Sequence, residues 1–193
     1  KTHVLDSSPI LLLPVRITPR KNIELALWTL AGVKKDFPNA ALVVTGPLGP
    51  HNANNIKYFE TLTELRKQLG LESSVHFLAE LHNGFLPDEV IADFYRVADA
   101  LFFLSREEGF GIPLIEAAFS HLPAFCADIP PLRKLGLSDV QFFSPDEDPA
   151  RISKILTDYF QTSMPARLAM RARASFRWDA IYRQHIEPLL VRP

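Results

Sequence analysis

At 193 residues the chain is long enough for one domain with a substantial core, and it needs no disulfide or metal staple. A net charge of −1, 47% hydrophobic residues and a single cysteine, Cys126, exclude a disordered or collagen-like chain, an internal disulfide, a thiolate-rich metal site and a general electrostatic pull toward nucleic acid or anionic membrane. No apolar run approaches the ~20 residues of a membrane-spanning helix and no signal peptide is visible, so the expected setting is reducing and cytoplasmic.

The chain opens at Lys1 and enters an apolar strand at Ile10, which reads as one domain (residues 1–193) of a longer polypeptide. Ile10–Val15 is predicted to be a buried strand, although Pro14 suits its end better than its middle. Asn22–Lys35 reads as a helix with Ile23, Leu27, Leu30 and Ala31 along one face. Ala40–Thr45 is the next strand, and the Gly46–Pro50 segment is a loop. A second amphipathic helix runs from Asn54 to Leu69 and stops at Gly70. Val75–Leu78 is a short strand, and the proline and acids of Pro87-Asp88-Glu89 suit the first turn of a third helix. Strand Ala100–Leu104, helix Pro113–Ser120, strand Ala124–Cys126, helical turn Pro130–Leu135 and strand Val140–Phe143 follow. The tail reads as three helices, Pro149–Phe160, Pro165–Ser175 and Trp178–Leu190. About six strand–helix repeats with continuously apolar strands predict an α/β fold, a Rossmann-like parallel sheet covered on both faces. Every strand-to-helix loop then lies on one edge, where ligands bind.

Two of those loops carry candidate chemistry. Arg16 and Lys21 follow the first strand, where a guanidinium and an ammonium would neutralise a diphosphate, in the ground state and as charge develops on leaving. The bland reading is two solvated cations near a helix start, a place where the dipole disfavours them. The run Ser105-Arg106-Glu107-Glu108-Gly109-Phe110-Gly111-Ile112-Pro113-Leu114-Ile115-Glu116 sits between a strand and a helix. Glu108 can accept hydrogen bonds from sugar hydroxyls, while the amides of Phe110 and Gly111 can donate to sugar or phosphate oxygens. Glu116, inside the helix, suits a ribose diol. The alternatives are a helix-capping acid at Glu108 and an exposed helix position at Glu116.

This segment resembles the C-terminal, donor-binding domain of the retaining family 4 glycosyltransferases (glycosyl transferases group 1), which have the two-Rossmann-domain GT-B architecture. Their Glu-x7-Glu signature is present as Glu108 through Glu116, and the family's phosphate-binding cations fall on Arg16 and Lys21. Ala98-Asp99-Ala100, Pro123 and Asp128-Ile129-Pro130 also match; the resemblance covers Ile10 to Trp178. It implies that Arg16, Lys21 and Glu108 serve the reacting centre and that Gly109, Phe110 and Gly111 line the sugar–diphosphate pocket, with Leu114 and Ile115 packed near it. It implies that Glu116 binds the ribose, that the turn at Gly46 faces the cleft, and that Ala79 and Leu81 meet the base by their backbone. The donor would be a UDP-, GDP- or ADP-linked sugar. No metal is expected, because Arg16 and Lys21 replace it. The partner would be an N-terminal acceptor-binding domain of the same polypeptide, through which any peripheral membrane contact would run, and the isolated domain is expected to be inactive. His121 departs from the family, which has glycine there. The rival readings are a nucleotide-sugar epimerase-like domain and a non-catalytic nucleotide- or carbohydrate-binding module.

Overall fold

The computed structural model describes residues 4–48, 53–82 and 84–190. Strands β1 (Ile10–Leu13), β2 (Ala41–Val44) and β4 (Ala100–Phe103) are buried at every position. A strand with both faces out of water needs helices above and below, which is why these runs do not alternate. With β3 (Val75–Phe77), β5 (Ala124–Ala127) and β6 (Gln141–Phe143) they form one six-stranded sheet in the order β3-β2-β1-β4-β5-β6. Every pairing is parallel, as the strand–helix repeat predicts.

The order reverses between β1 and β4. Loops leaving two such strands diverge to opposite faces and leave a crevice at the carboxyl edge. Helices α1 (Ile23–Val33) and α6 (Pro149–Thr162) pack on each other. Their approach is close enough that a methyl group on Gly32 would lie 2.5 Å from the Ser153 hydroxyl. Helices α2 (Ala53–Gln68), α3 (Asp88–Val97), α4 (Ile112–Phe119), α5 (Pro130–Gly136) and α7 (Met164–Phe176) complete the layers. The core is one large cluster, from Leu11 through Phe160 to Met170, with a smaller one around Ile10, Val43 and Leu78.

Several boundaries differ from the sequence expectation for identifiable reasons. β1 ends at Leu13 rather than Val15, because Pro14 has no N–H for the ladder and the Val15 amide turns back to the Leu13 carbonyl at 3.0 Å. β3 stops at Phe77, and Leu78 opens a 3-10 turn. Pro87 caps α3 from outside instead of entering its first turn. The tail helix predicted over Trp178–Leu190 is broken: α8 (Trp178–Ile181) passes through a π turn at Tyr182–Ile186 into α9 (Glu187–Leu190). Pro188 supplies the cause, since its ring and missing N–H disrupt the α-helical ladder one turn back, and the wider turn absorbs the misfit.

Two ends of α-helices show the same closing device with different residues. After α2, Gly70 takes φ +64°, and the Leu71 amide bonds the Arg66 carbonyl at 2.9 Å. After α4, His121 takes φ +53°, and the Leu122 amide bonds the Ala117 carbonyl at 2.9 Å. Both are Schellman closures, and at His121 a Cβ occupies the left-handed position that favours glycine. The turn does tolerate a side chain there.

The amino end of the sheet is held by one buried cluster. Asp99 accepts the Ile10 amide at 2.7 Å and both terminal nitrogens of Arg173, one of them at 2.9 Å. Arg173 also donates to the carbonyls of Val97 (3.0 Å) and Ser7 (3.2 Å). The side chains are 1% and 11% exposed. This cluster ties β1, β4 and α7 together. Its outer continuation is Asp6, bonded by Arg177 and Arg183. Hydrogen bonds from Arg183 and Arg177 pull the Asp6 carboxyl down to about 2 against its burial.

Candidate functional site

Both candidate loops leave the two strands that flank the crevice. The loop after β1 closes in a 3-10 turn, Pro19–Lys21, and Asn22 then takes φ 55° before α1. Asn22 is 1% exposed and fixes the second loop: its side-chain nitrogen donates to the carbonyls of Leu104 (3.2 Å) and Pro145 (2.9 Å). The Arg106 amide bonds the Arg20 carbonyl at 2.8 Å, so the loops are also joined through backbone.

That scaffold brings Lys21 to Glu108. The ammonium donates to Glu108 Oε1 at 2.5 Å across 87 positions of sequence, with side chains 10% and 12% exposed. It also lies over the Phe103 ring, 5.8 Å from the centroid. Removing two charges from water is costly even when they pair. Here the pair sits where the loops after β1 and β4 meet at the crevice. Glu108 does not cap α4: the N-cap is Gly111, and no side chain caps the helix.

The three positions after Glu108 differ in kind. Gly111 has φ +100°, a backbone conformation that favours glycine, and a Cβ there would also press on the end of the Leu132 side chain, 2.5 Å away. Around Gly109 nothing lies within 4 Å of an added Cβ. Its missing side chain leaves open space and is not a packing requirement. Phe110 is exposed at the loop tip.

Arg16 is exposed and its guanidinium lies 4.8 Å from the Phe85 ring centroid. Glu116 accepts the Tyr95 hydroxyl at 2.6 Å, and Tyr95 also reaches the Pro113 carbonyl at 3.4 Å. Burial first, then the bond to Glu116, push the Tyr95 phenol far above its ordinary range, so it stays a donor that points the carboxylate. Leu114 is buried in the core, and its amide is taken by the Gly111 carbonyl at 3.0 Å. The Ile115 side chain lines an apolar groove with Leu135 and Val140. These two residues thus support α4 through their side chains. Gly46 lies against the first loop: an added Cβ would be 2.1 Å from the Val15 carbonyl oxygen, and the Ile17 amide donates to the Pro47 carbonyl at 3.0 Å. Ala79 is half-buried in the 3-10 turn after β3, and Leu81 is exposed beyond it.

Tyr95 and Tyr58 are the residues that sequence reading missed. Tyr58, from α2, accepts the Ile23 amide at 3.2 Å and donates to Glu24, closing the otherwise uncapped start of α1. Nothing but their place in apolar helix faces marks them in sequence. Among the described residues no group of His, Cys, Asp and Glu is arranged to hold a metal ion. Burial pushes the Cys126 thiol up to about 12, which removes it as a nucleophile. No helix among the described residues is long and apolar enough to cross a membrane.

Residues 1–175 match the family model described as "Glycosyl transferases group 1". The chain belongs to that family. It is 29% identical over 171 residues to a D-inositol 3-phosphate glycosyltransferase of Streptomyces scabiei, an alignment that covers 85% of this chain and 37% of that protein. It is 40% identical over 74 residues to the serotype-specific mannosyltransferase WbdA of Escherichia coli, covering 38% of this chain and 9% of that one. The chain thus spans less than half the length of these relatives. Among solved structures, Anabaena Alr3699/HepE in complex with UDP superposes with a TM-score of 0.69 at 23% identity, over 97% of this chain and 50% of that one. The C-terminal domain of the group 1 glycosyl transferase LpcC from Francisella tularensis gives a TM-score of 0.69 at 19% identity, over 92% of this chain and 86% of that one. At such identities the likeness is one of fold.

Proposed function

We propose that this chain is the nucleotide-sugar-binding domain of a retaining glycosyltransferase that moves a hexose from a nucleoside diphosphate sugar to an acceptor hydroxyl. One observation carries the reading: Lys21 and Glu108 meet at the strand-order reversal, from loops far apart in sequence, in a family whose members transfer sugars. A diphosphate entering the crevice would draw the ammonium and Arg16 to its oxygens, and the freed Glu108 carboxylate would accept from a hydroxyl of the sugar. The two cations would then stabilise the charge that develops on the leaving diphosphate. The acceptor hydroxyl would attack from the front side, its oxygen bonding the anomeric carbon as the bond to the diphosphate breaks, and its proton would pass to the leaving diphosphate.

In this reading Glu116, oriented by Tyr95, takes the ribose diol. The open space at Gly109 and the amides of Phe110 and Gly111 receive the sugar and phosphates, and the base rests on the backbone at Ala79 and Leu81. The acceptor would be held by a preceding domain of the same cytoplasmic polypeptide, without which this domain would be inactive.

The test is calorimetric titration with UDP, GDP and ADP and their hexose conjugates, repeated on Glu116→Gln with the matching 2′-deoxy nucleotides. One base series should bind, and the substitution should weaken the ribonucleotide more than its deoxy analogue. Failure of all three series to bind, or equal losses for ribo and deoxy forms, would sink the reading or the role of Glu116 respectively.

A further inference from the structure

We propose that Phe85 is a positioning residue for Arg16, an aromatic shelf that holds the guanidinium at the carboxyl edge of the sheet while leaving its hydrogen-bonding edge free. The inference rests on the reading above, in which Arg16 meets the diphosphate.

Lys21 and Arg16 follow the same strand but are held in different ways. Lys21 gives a proton to a carboxylate, so a phosphate must compete with Glu108 for it. Arg16 has no carboxylate partner among the described residues, and its guanidinium lies over the Phe85 ring, 4.8 Å from the centroid. A guanidinium presents five N–H donors in its own plane, and an aromatic face attracts the cation without accepting any of them in that plane. A long side chain that would otherwise sample many rotamers is restrained without a carboxylate competing for its donors.

Phe85 itself is otherwise hard to account for. It is 67% exposed, precedes α3 and so lies outside that helix's apolar stripe, and follows Gly84, which turns the chain at φ +113°. An apolar ring left in water after the bend at Gly84 contributes little to the core. Its contact is a cation, 69 positions earlier, on the loop that bears the candidate phosphate ligands. The segment that presents the ring continues from the 3-10 turn at Leu78–Glu80, where the base is proposed to lie. Phe85 would then connect the base side of the donor to its phosphate side.

The experiment measures UDP, GDP, ADP and the parent nucleosides against the natural full-length polypeptide by calorimetry, with Phe85→Leu, Phe85→Trp, Arg16→Ala and the Phe85→Leu/Arg16→Ala pair. Phe85→Leu should weaken the diphosphate that binds by about two- to fivefold, the size of an exposed cation–π contact. It should leave the nucleoside and the melting temperature unchanged, and Phe85→Trp should restore affinity. In the Arg16→Ala background, Phe85→Leu should have no further effect. Equal losses for nucleoside and diphosphate, or additive losses in the pair, overturn the proposal. If Arg16→Ala weakens diphosphate binding while Phe85→Leu does not, only the shelf is lost. If Arg16→Ala itself changes nothing, the assigned role of Arg16 is wrong and the shelf falls with it.

Discussion

At the amino end of the sheet, Asp99 collects a backbone amide and two guanidinium nitrogens, and Arg173 spends its remaining terminal contacts on two carbonyls, with only its Nε lacking a partner. At the carboxyl end, the hydroxyls of Thr18 and Ser105 and the Oδ1 of Asn22 are buried with no hydrogen-bond partner among the described residues. Buried polar groups are nearly always satisfied, so an orphan asks for a reason. The two ends carry similar chemistry to opposite purposes. At the amino end the polar groups close the fold, and at the carboxyl end they sit under the loops that hold Lys21 and Glu108, which a ligand is proposed to complete. Stability should therefore respond to changes at one end and binding to changes at the other.

The largest expected effect lies at the amino end. Asp99→Asn leaves Arg173 as an uncompensated buried charge and should cost about 3–5 kcal/mol of stability, read by urea denaturation, while the folded fraction keeps its nucleotide affinity. A loss of stability below about 1 kcal/mol would mean that the cluster is not what closes this end.

At the carboxyl end, Lys21→Ala should weaken nucleoside diphosphate binding by about 1.5–3 kcal/mol, the range for a hydrogen bond to a charged group. A nucleoside without phosphates should bind as before. Calorimetry showing equal losses for both would place Lys21 in the fold.

Ser105→Ala sharpens the contrast with a smaller change. The hydroxyl is fully buried and has no hydrogen-bond partner among the described residues, so stability should hold to within about 1 kcal/mol while donor affinity falls. A clear loss of stability with unchanged affinity would assign the hydroxyl to the fold instead.

The mildest effect is acid sensitivity of the Asp6 latch. Its folded pKa is lowered, so the stabilisation is fully present above the unfolded value of 3.8 and is lost as pH falls toward about 2. Amide exchange in α8 and α9 should rise in that window before the sheet opens. Uniform exchange across the chain would show that the latch does not act separately.

Much of the fold was legible because its signals are local. Ile10–Leu13, Ala41–Val44 and Ala100–Phe103 are continuously apolar and alternate with helical patterns, as strands of a parallel sheet covered on both faces do, and Gly70 marks a helix end by its backbone freedom alone. The candidate site was legible as two loops at strand ends. Side-chain partners were not legible, because a contact such as Asp99 with Arg173 joins residues 74 apart without any periodic trace. In the sequence nothing distinguishes Tyr95 from the apolar residues around it, and only the fold brings its hydroxyl to Glu116. The break in the last helix turned on Pro188, whose effect falls a turn earlier than the residue itself.

The contact between Gly46 and Val15 bears on how such a domain can be re-engineered. Because the backbones after β1 and β2 touch, with Ile17 and Leu48 bridged, they behave as one cassette: randomising positions 46–48 would shift the spacing of Arg16 and Lys21 along with the target. The segment after β3 meets that cassette through a side chain, Phe85 on Arg16. With the base on the segment after β3 as proposed, a library aimed at a different base is better built into positions 78–82, with Phe85 retained, than beside Gly46.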